Sequence, residues 1–142
     1  NRWFVYGWKK GAGRLYNLAL DRIHEMGAAP GEVYQESKAI DPDTFFDNLI
    51  GVTKNINDKA HTIRFWAAPE QVPYIETKPL HKSQFVVQRD EDGSAIFQME
   101  VVLNYELEKD LLGFGEGIKV LSPKCLVNNM SRRLRKASQY YE

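Results

Sequence analysis

The first 23 residues of the chain interleave aromatic and basic side chains at close spacing. Aromatic rings offer planes on which nucleobases stack, and arginine offers paired donors for a phosphate group. The mixture is therefore typical of a site for single-stranded nucleic acid or a nucleotide. The alternative is that half of the rings form a core, because alternation along a strand buries one set of side chains. The residues concerned are Trp3, Phe4, Tyr6, Trp8 and Tyr16 among the aromatics, and Arg2, Lys9, Lys10, Arg14 and Arg22 among the bases.

Residues suited to catalysis or metal binding are few and scattered in the sequence. His24, His61 and His81 are isolated, and the sequence has neither an H-E-x-x-H nor a C-x-x-C motif. Cys125 lies where a helix is predicted to begin, and we expect a small residue packed beside the apolar stripe of that helix. The sequence therefore predicts no catalytic residues, no metal site and no cofactor, and it does not favour an enzyme.

Two further patterns resemble functional motifs. The glycine-rich segment 113–117 follows a predicted helix and precedes a predicted strand, the reverse of a dinucleotide-binding loop. We predict instead a helix C-terminal turn that requires positive φ. The carboxylate pairs Asp43 and Asp47, and Glu106 and Asp110, are each spaced four apart, which is usual for a solvated helix face.

The formal net charge is zero, but the charges are segregated along the chain. Residues 1–24 carry +4, residues 25–118 carry −9 and residues 119–142 carry +5. Basic ends suggest an anionic partner, with solvated faces as the alternative. A single cysteine favours a reducing, cytoplasmic location, and the sequence has neither a signal peptide nor an apolar run long enough for a membrane span.

The elements that must position these residues fall into two parts. The first part is predicted to be a hairpin, with β-rich runs at 2–8 and 14–23 joined by a basic turn at 9–13. A short helix should follow, capped by Asp41, begun by Pro42 and ended by Gly51. A polar segment at 54–59 marks the predicted domain boundary.

The second part is predicted to follow the order β-α-β-β-α-β over residues 60–121, which is that of a ferredoxin-like domain, with a further helix behind it. Asp92-Gly93 predicts a hairpin turn, Asn104 a helix cap, and Ser122-Pro123 the cap and first position of the last helix. That helix should bury a stripe of apolar residues, namely Leu126, Val127, Met130, Leu134, Ala137 and Tyr141.

The motifs, taken in order, resemble those of the WYL domain and its C-terminal extension. Residues 1–8 resemble the WYL signature strand, with Trp3-Phe4-Val5 in place of Trp-Tyr-Leu, and residues 18–23 resemble the next strand. The extension is similar at Ile63-Arg64-Phe65, the segments 79–84 and 114–123, the Asp92-Gly93 hairpin and the final helix. The resemblance covers essentially the whole chain.

The resemblance implies a fold and a function. The fold class is α+β, with a partial Sm-like, SH3-type barrel of the WYL domain at 1–58 and a ferredoxin-like extension with a C-terminal helix at 59–142. The function implied is that of the ligand-sensing and dimerisation region of a bacterial transcriptional regulator, which binds operator DNA through a helix-turn-helix expected upstream of Asn1. The expected partners are a single-stranded nucleic acid or nucleotide-like ligand and a second copy of the chain in a homodimer. No association with a membrane is expected.

The resemblance also assigns the ligand to particular residues. The resemblance assigns ligand binding to Trp3, Phe4 and Arg22, and Tyr6 and Arg14 are their neighbours by position. Phe4 replaces the tyrosine of the triplet, which removes a hydroxyl but keeps a stacking ring, and Tyr16 stands where many members carry arginine. The alternative function is a protein-interaction module without a ligand of its own.

Overall fold

The computed structural model describes residues 2–9, 11–12, 14–36 and 40–142. Its chain divides into two compact units. The first unit is formed by residues 1–47 and 55–57, and the second by residues 48–54 and 58–142. Each unit has one antiparallel sheet, so the α+β class is correct at this level.

The first unit contains a β-hairpin, as the sequence predicts. Strand β1 (Phe4–Trp8) pairs with β2 (Leu15–Ala19). These two strands form the only sheet among the described residues of the unit, and that sheet does not close into a barrel. Lys10 and Gly13 of the predicted turn lie outside the described residues.

The second run of the hairpin is shorter than predicted. The strand ends at Ala19, and Leu20–Arg22 forms a 3₁₀ turn. Leu20 N–H makes a last cross-strand bond to the Trp3 carbonyl at 3.0 Å, and Ile23 N–H then turns back to the Leu20 carbonyl at 3.2 Å. The prediction that this strand extends to residue 23 is therefore wrong for residues 20–23.

The helix predicted from Asp41-Pro42 is also wrong, because residues 42–48 form successive turns. The Asp41 cap does form: its carboxylate accepts from Asp43 N–H and from the Thr44 hydroxyl, both at 3.0 Å. The segment that follows is rich in β-branched, aromatic and Asx residues of weak helix propensity, so the cap starts a turn that does not propagate.

The second unit has the predicted order of elements. They are β3 (Ala60–Ala67), α1 (Val72–Thr77), β4 (Phe85–Arg89), β5 (Ala95–Val102), α2 (Tyr105–Leu112), β6 (Ile118–Ser122) and α3 (Lys124–Ser138). All strand pairs are antiparallel, in the order β4-β5-β3-β6. Helix α1 was expected from Pro69 but begins at Val72, with Pro73 in its first turn.

Strict alternation in the two central strands builds the core of this unit. Ile63, Phe65 and Ala67 of β3 are fully buried, and Phe65 lies opposite Phe97 of β5 with the rings stacked at 5.4 Å. The helices close the core through Ile75, Leu107, Leu111, Leu126 and Met130, among others.

Two predicted local signals in the second unit are confirmed. Asn104 caps α2, since its side-chain oxygen accepts from Leu107 N–H at 2.8 Å. The glycine-rich turn after α2 contains Gly115 at φ +56°.

No helix in the described part of the chain is both long and apolar enough to cross a bilayer.

Helix α3 differs from its prediction at both ends. Ser122 is the last residue of β6, paired with Arg64, so Pro123 rather than Ser122 occupies the cap position. Leu126 and Met130 are buried, whereas the stripe is exposed at Leu134, Ala137 and Tyr141. Cys125, expected beside the stripe, is exposed as well.

Candidate nucleic-acid interface

The register of the hairpin decides which predicted ligand residues share a surface. Side chains directly opposite each other in an antiparallel pair project from the same face. Phe4, Tyr6 and Trp8 pair with Ala19, Asn17 and Leu15, and we call these six residues the inner face. Val5 and Gly7 pair with Leu18 and Tyr16, and we call these four the outer face. The predicted residues Phe4 and Tyr6 therefore project away from Tyr16.

The inner face is a packing surface. The Tyr6 ring makes edge-to-face contacts with Phe46 at 5.1 Å and with Phe45 at 6.1 Å. Its hydroxyl oxygen accepts a hydrogen bond from the Asn17 amide at 3.2 Å, and Ala19 beside it is buried. Edge-to-face pairs of this kind contribute about 0.5–1.5 kcal/mol each beyond the area they bury. Tyr6 is thus engaged in a partly exposed aromatic cluster of the first unit.

The outer face holds an accessible pairing of a cation with an aromatic ring. The Arg14 guanidinium lies over the Tyr16 ring, 4.6 Å from its centroid. Gly7, opposite Tyr16, has nothing within 4 Å of the position where a Cβ would stand, and Arg14 is exposed while Tyr16 is half-buried. A guanidinium stacked on a ring presents both charge and a π surface to a phosphate and a base.

Trp3 and Arg22 lie at the other end of the hairpin. Trp3 is 79% exposed, and Arg22 is an exposed residue of the 3₁₀ turn. Trp3 lies four residues from Gly7, which corresponds to roughly 13 Å along a strand. The hairpin therefore presents two groups, Arg14 with Tyr16 and Trp3 with Arg22, one at each end.

The ion pair beside Trp3 was not predicted. The Arg2 Nε atom lies 2.9 Å from an Asp21 carboxylate oxygen, with both side chains half exposed. Asp21 therefore neutralises one of the five positive charges of the hairpin. The shortened strand creates this contact, because Asp21 enters the 3₁₀ turn rather than continuing β2.

A cleft of about 810 Å³ borders the hairpin and was also missed by sequence reasoning. Residues 6–9 line one wall of this cleft, and residues 31–36 line the other. The second wall includes Glu32 and Glu36, whose charge disfavours a polyanion. This cleft is therefore a weaker candidate for a phosphate-bearing ligand than the outer face.

The second unit shows little that resembles a catalytic site. No group of three or more His, Cys, Asp or Glu side chains within the described ranges is placed to hold a metal ion. Ser83 hydroxyl lies 2.7 Å from His81 Nδ1, but it also accepts from Glu100 N–H at 2.9 Å, which ties it to the end of β5. Hydrogen bonds from Ser94 hydroxyl and N–H hold the pKa of Asp92 below its usual value, in the β4–β5 turn.

The four-stranded sheet and its three helices coincide with a known family. The family model for the WCX domain matches residues 59–138. The chain belongs to the WCX domain family. The match begins just before β3 and ends at the last residue of α3, so it covers all seven helices and strands of the second unit. A search of curated proteins found no match.

The WCX domain accounts for the predicted extension, whereas all six predicted ligand residues lie outside the matched range. Trp3, Phe4, Tyr6, Arg14, Tyr16 and Arg22 precede residue 59. Their assignment rests on the resemblance of the first unit to WYL strands and on the geometry described above.

Proposed function

We propose that this chain is the ligand-sensing and dimerisation region of a bacterial transcriptional regulator. Its hairpin contributes to an Sm-like WYL barrel that binds a nucleic-acid or nucleotide-like ligand. Ligand binding controls a helix-turn-helix located elsewhere in the regulator, which contacts operator DNA. The observation that carries the proposal is the WCX domain at residues 59–138, which follows a hairpin of WYL character at residues 4–19 in the same chain.

The outer face supports the choice of ligand. Arg14 stacked on Tyr16, with exposed Trp3 and Arg22 at the other end, provides two aromatic surfaces and two cations on one short ribbon. Proteins that bind single strands combine such stacking surfaces with a basic track for the backbone. Phe4 and Tyr6 have a different part in this proposal. Both project from the inner face, and Tyr6 holds the hairpin against Phe45 and Phe46.

The finer fold assignments belong to the same proposal. The order β4-β5-β3-β6, with helices α1 and α2 in the two crossovers, supports a ferredoxin-like arrangement of the second unit. The antiparallel hairpin is compatible with two strands of an Sm-like barrel. We place the regulator in the cytoplasm, where its operator would be, and assign it no enzymatic activity.

The test is binding of a fluorescently labelled single strand of about 12 nucleotides, at about 50 mM and about 200 mM salt. We expect Arg14→Ala and Arg22→Ala each to reduce the slope of log affinity against log salt by about 1. Tyr16→Leu keeps an apolar side chain but removes the ring. It should weaken binding by about 5- to 150-fold, since stacking contributes about 1–3 kcal/mol per base.

The matched control is Lys78→Ala, which removes an exposed cation from the second unit. It should leave affinity nearly unchanged. Binding that is undetectable in the parent protein, or that falls equally for Lys78→Ala and Arg14→Ala, contradicts the proposed interface.

A second candidate function is a protein-interaction module. The outer face also exposes Val5 (46%) and Leu18 (48%) beside Trp3, and contiguous apolar surface of this kind often marks a protein interface. Val5→Asp with Leu18→Asp distinguishes the two functions. Loss of a dimer in the double variant in analytical ultracentrifugation, together with no oligonucleotide binding by the parent protein, favours the module.

A further inference from the structure

An apolar groove in the second unit, distinct from the hairpin, is flanked by cations. It has a volume of about 290 Å³ and lies between β6, the glycine-rich turn after α2, and the C-terminal half of α3. Its apolar wall includes Ile118 and Val120 of β6 and Val127 and Leu134 of α3. We call it the α3 groove.

The charge around the α3 groove has one sign. Lys119 and Arg135 are its charged lining residues, both are exposed, and no carboxylate contributes to the described lining. Helix α3 carries five basic residues and no acidic residue over 124–138; Arg133 is paired with Glu108 at 2.8 Å, so four of the five cations remain outside that ion pair. Such a field concentrates anions near the groove and repels cations.

The neighbouring helix end adds little negative potential. A helix C-terminus normally presents unpaired carbonyl oxygens, which disfavour an anion. At the end of α2, Gly113 N–H donates to the carbonyls of Lys109 and Asp110, and Phe114 N–H donates to that of Leu111. These three carbonyls are therefore satisfied, which reduces the negative potential of this helix end beside Lys119 and Arg135. Ser131 supplies a hydroxyl in the same lining.

Size separates the possible occupants. A stable protein interface buries about 800 Å² on each partner, far more than a groove of this volume presents. Small-molecule sites begin at about 300 Å³ and are mostly apolar with a few polar groups that fix orientation. The α3 groove has the size and composition of such a site.

We infer that the α3 groove binds a small amphipathic anion, a molecule with an apolar body and one carboxylate-like head. The apolar body lies against β6 and α3, and the head is held by Lys119 and Arg135. The groove belongs to the WCX domain and uses none of the hairpin residues. The inference is thus independent of the proposed nucleic-acid ligand.

The experiment uses octanoate as the probe, added to the ¹⁵N-labelled full chain and followed by amide chemical shifts. We expect saturable shifts that cluster at Ile118, Val120, Val127 and Leu134, with a dissociation constant on the order of 1 mM. Octanol should bind at least about threefold more weakly, and octyltrimethylammonium should not bind, because Lys119 and Arg135 repel it.

Variants test the two parts of the inference. Lys119→Gln and Arg135→Gln should each weaken octanoate binding by about two- to fivefold at low salt, as expected for exposed ion pairs. Arg132→Gln is the matched control, since Arg132 lies on the same helix but does not line the groove; it should change affinity by less than about 1.5-fold. Leu134→Asp, at a position 47% exposed, should abolish binding while helix circular dichroism is retained.

Three results overturn the inference. The first is octanol binding as tightly as octanoate. The second is an equal loss of affinity in Arg132→Gln and Arg135→Gln, which would reduce the effect to diffuse charge. The third is no binding of octanoate, with concentration-dependent shifts at the same amides, which would show that a second copy of the chain covers the groove. Oligonucleotide binding at the hairpin is measured separately, and its result is independent of octanoate binding.

Discussion

Asn104 connects the start of α2 to the segment 48–54 through three hydrogen bonds. Its Oδ1 atom accepts from Leu107 N–H at 2.8 Å, and its Nδ2 atom donates to the carbonyls of Ile50 at 2.7 Å and Thr53 at 3.1 Å. Asn104→Ala removes all three bonds without adding bulk. We expect this substitution to destabilise the second unit.

The magnitude follows from which groups are left without partners. Loss of a helix N-cap costs about 1 kcal/mol. Ile50 is buried, so its carbonyl left without a donor costs about 1 kcal/mol more, whereas the exposed Thr53 can bond to water instead. The expected loss is about 2 kcal/mol for Asn104→Ala. Asn104→Ser keeps a capping oxygen and should lose about 1 kcal/mol.

The assay is urea unfolding followed by helix circular dichroism, because α1, α2 and α3 all lie in the second unit. With a urea dependence of about 1–2 kcal/mol per molar, a loss of 2 kcal/mol lowers the midpoint by about 1–2 M. Asn104→Ala within about 0.5 kcal/mol of the parent refutes the reasoning altogether. If Asn104→Ser is as unstable as Asn104→Ala, the helix cap contributes nothing to stability. If Asn104→Ser is as stable as the parent, the hydrogen bond to the Ile50 carbonyl contributes nothing.

Two further predictions concern backbone and titration. Gly51 has φ +81°, and a side chain there would overlap Glu106, whereas Gly115 at φ +56° has open space around it. Both alanine variants carry the left-handed cost of about 1–2 kcal/mol, and Gly51→Ala should lose more stability in the same urea assay; equal losses would contradict the overlap. Because hydrogen bonds lower the pKa of Asp92 in the folded state, its contribution to stability is complete above about pH 3.9, the ordinary value, and is lost as the pH falls through the lowered pKa. Thermal unfolding at neutral and strongly acidic pH should show that Asp92→Asn loses less stability on acidification than the parent, and parallel losses would argue against the linkage.

Much of the second unit could be predicted because its signals are local and agree with one another. Alternation marks the buried residues of β3 and β5, and Asn104 marks the start of α2. The first unit was harder to predict because its local signals conflict: the Asp41 cap precedes residues of weak helix propensity, and tertiary contacts then decide the conformation. Phe45 and Phe46 read as helical core residues, but both contact Tyr6, and the chain around them turns instead of coiling.

The candidate site was predicted in composition but not in arrangement. Residue types alone place Phe4, Tyr6 and Tyr16 in one aromatic cluster. The register of the hairpin places Tyr16 on the opposite face from the other two. That register depends on the geometry of the turn, which the residues of the turn do not specify. The same holds for α3, where the predicted periodicity extends to Tyr141 but the last buried residue of the stripe is Met130 and the helix ends at Ser138. The end of an amphipathic pattern is set by the partner, which a single sequence does not show.

The route of the chain through the two units has a practical consequence for isolating the domain. The family match starts at residue 59, yet residues 48–54 pack with the second unit: Asn48 accepts from Val102 N–H at 2.8 Å, and Ile50 is part of the core. A fragment cut at residue 59 would therefore have a hole where Ile50 packs and an open end of β5. The segment recognised by sequence and the segment that folds as one piece differ by about ten residues, and a stable excised domain should begin at Asn48.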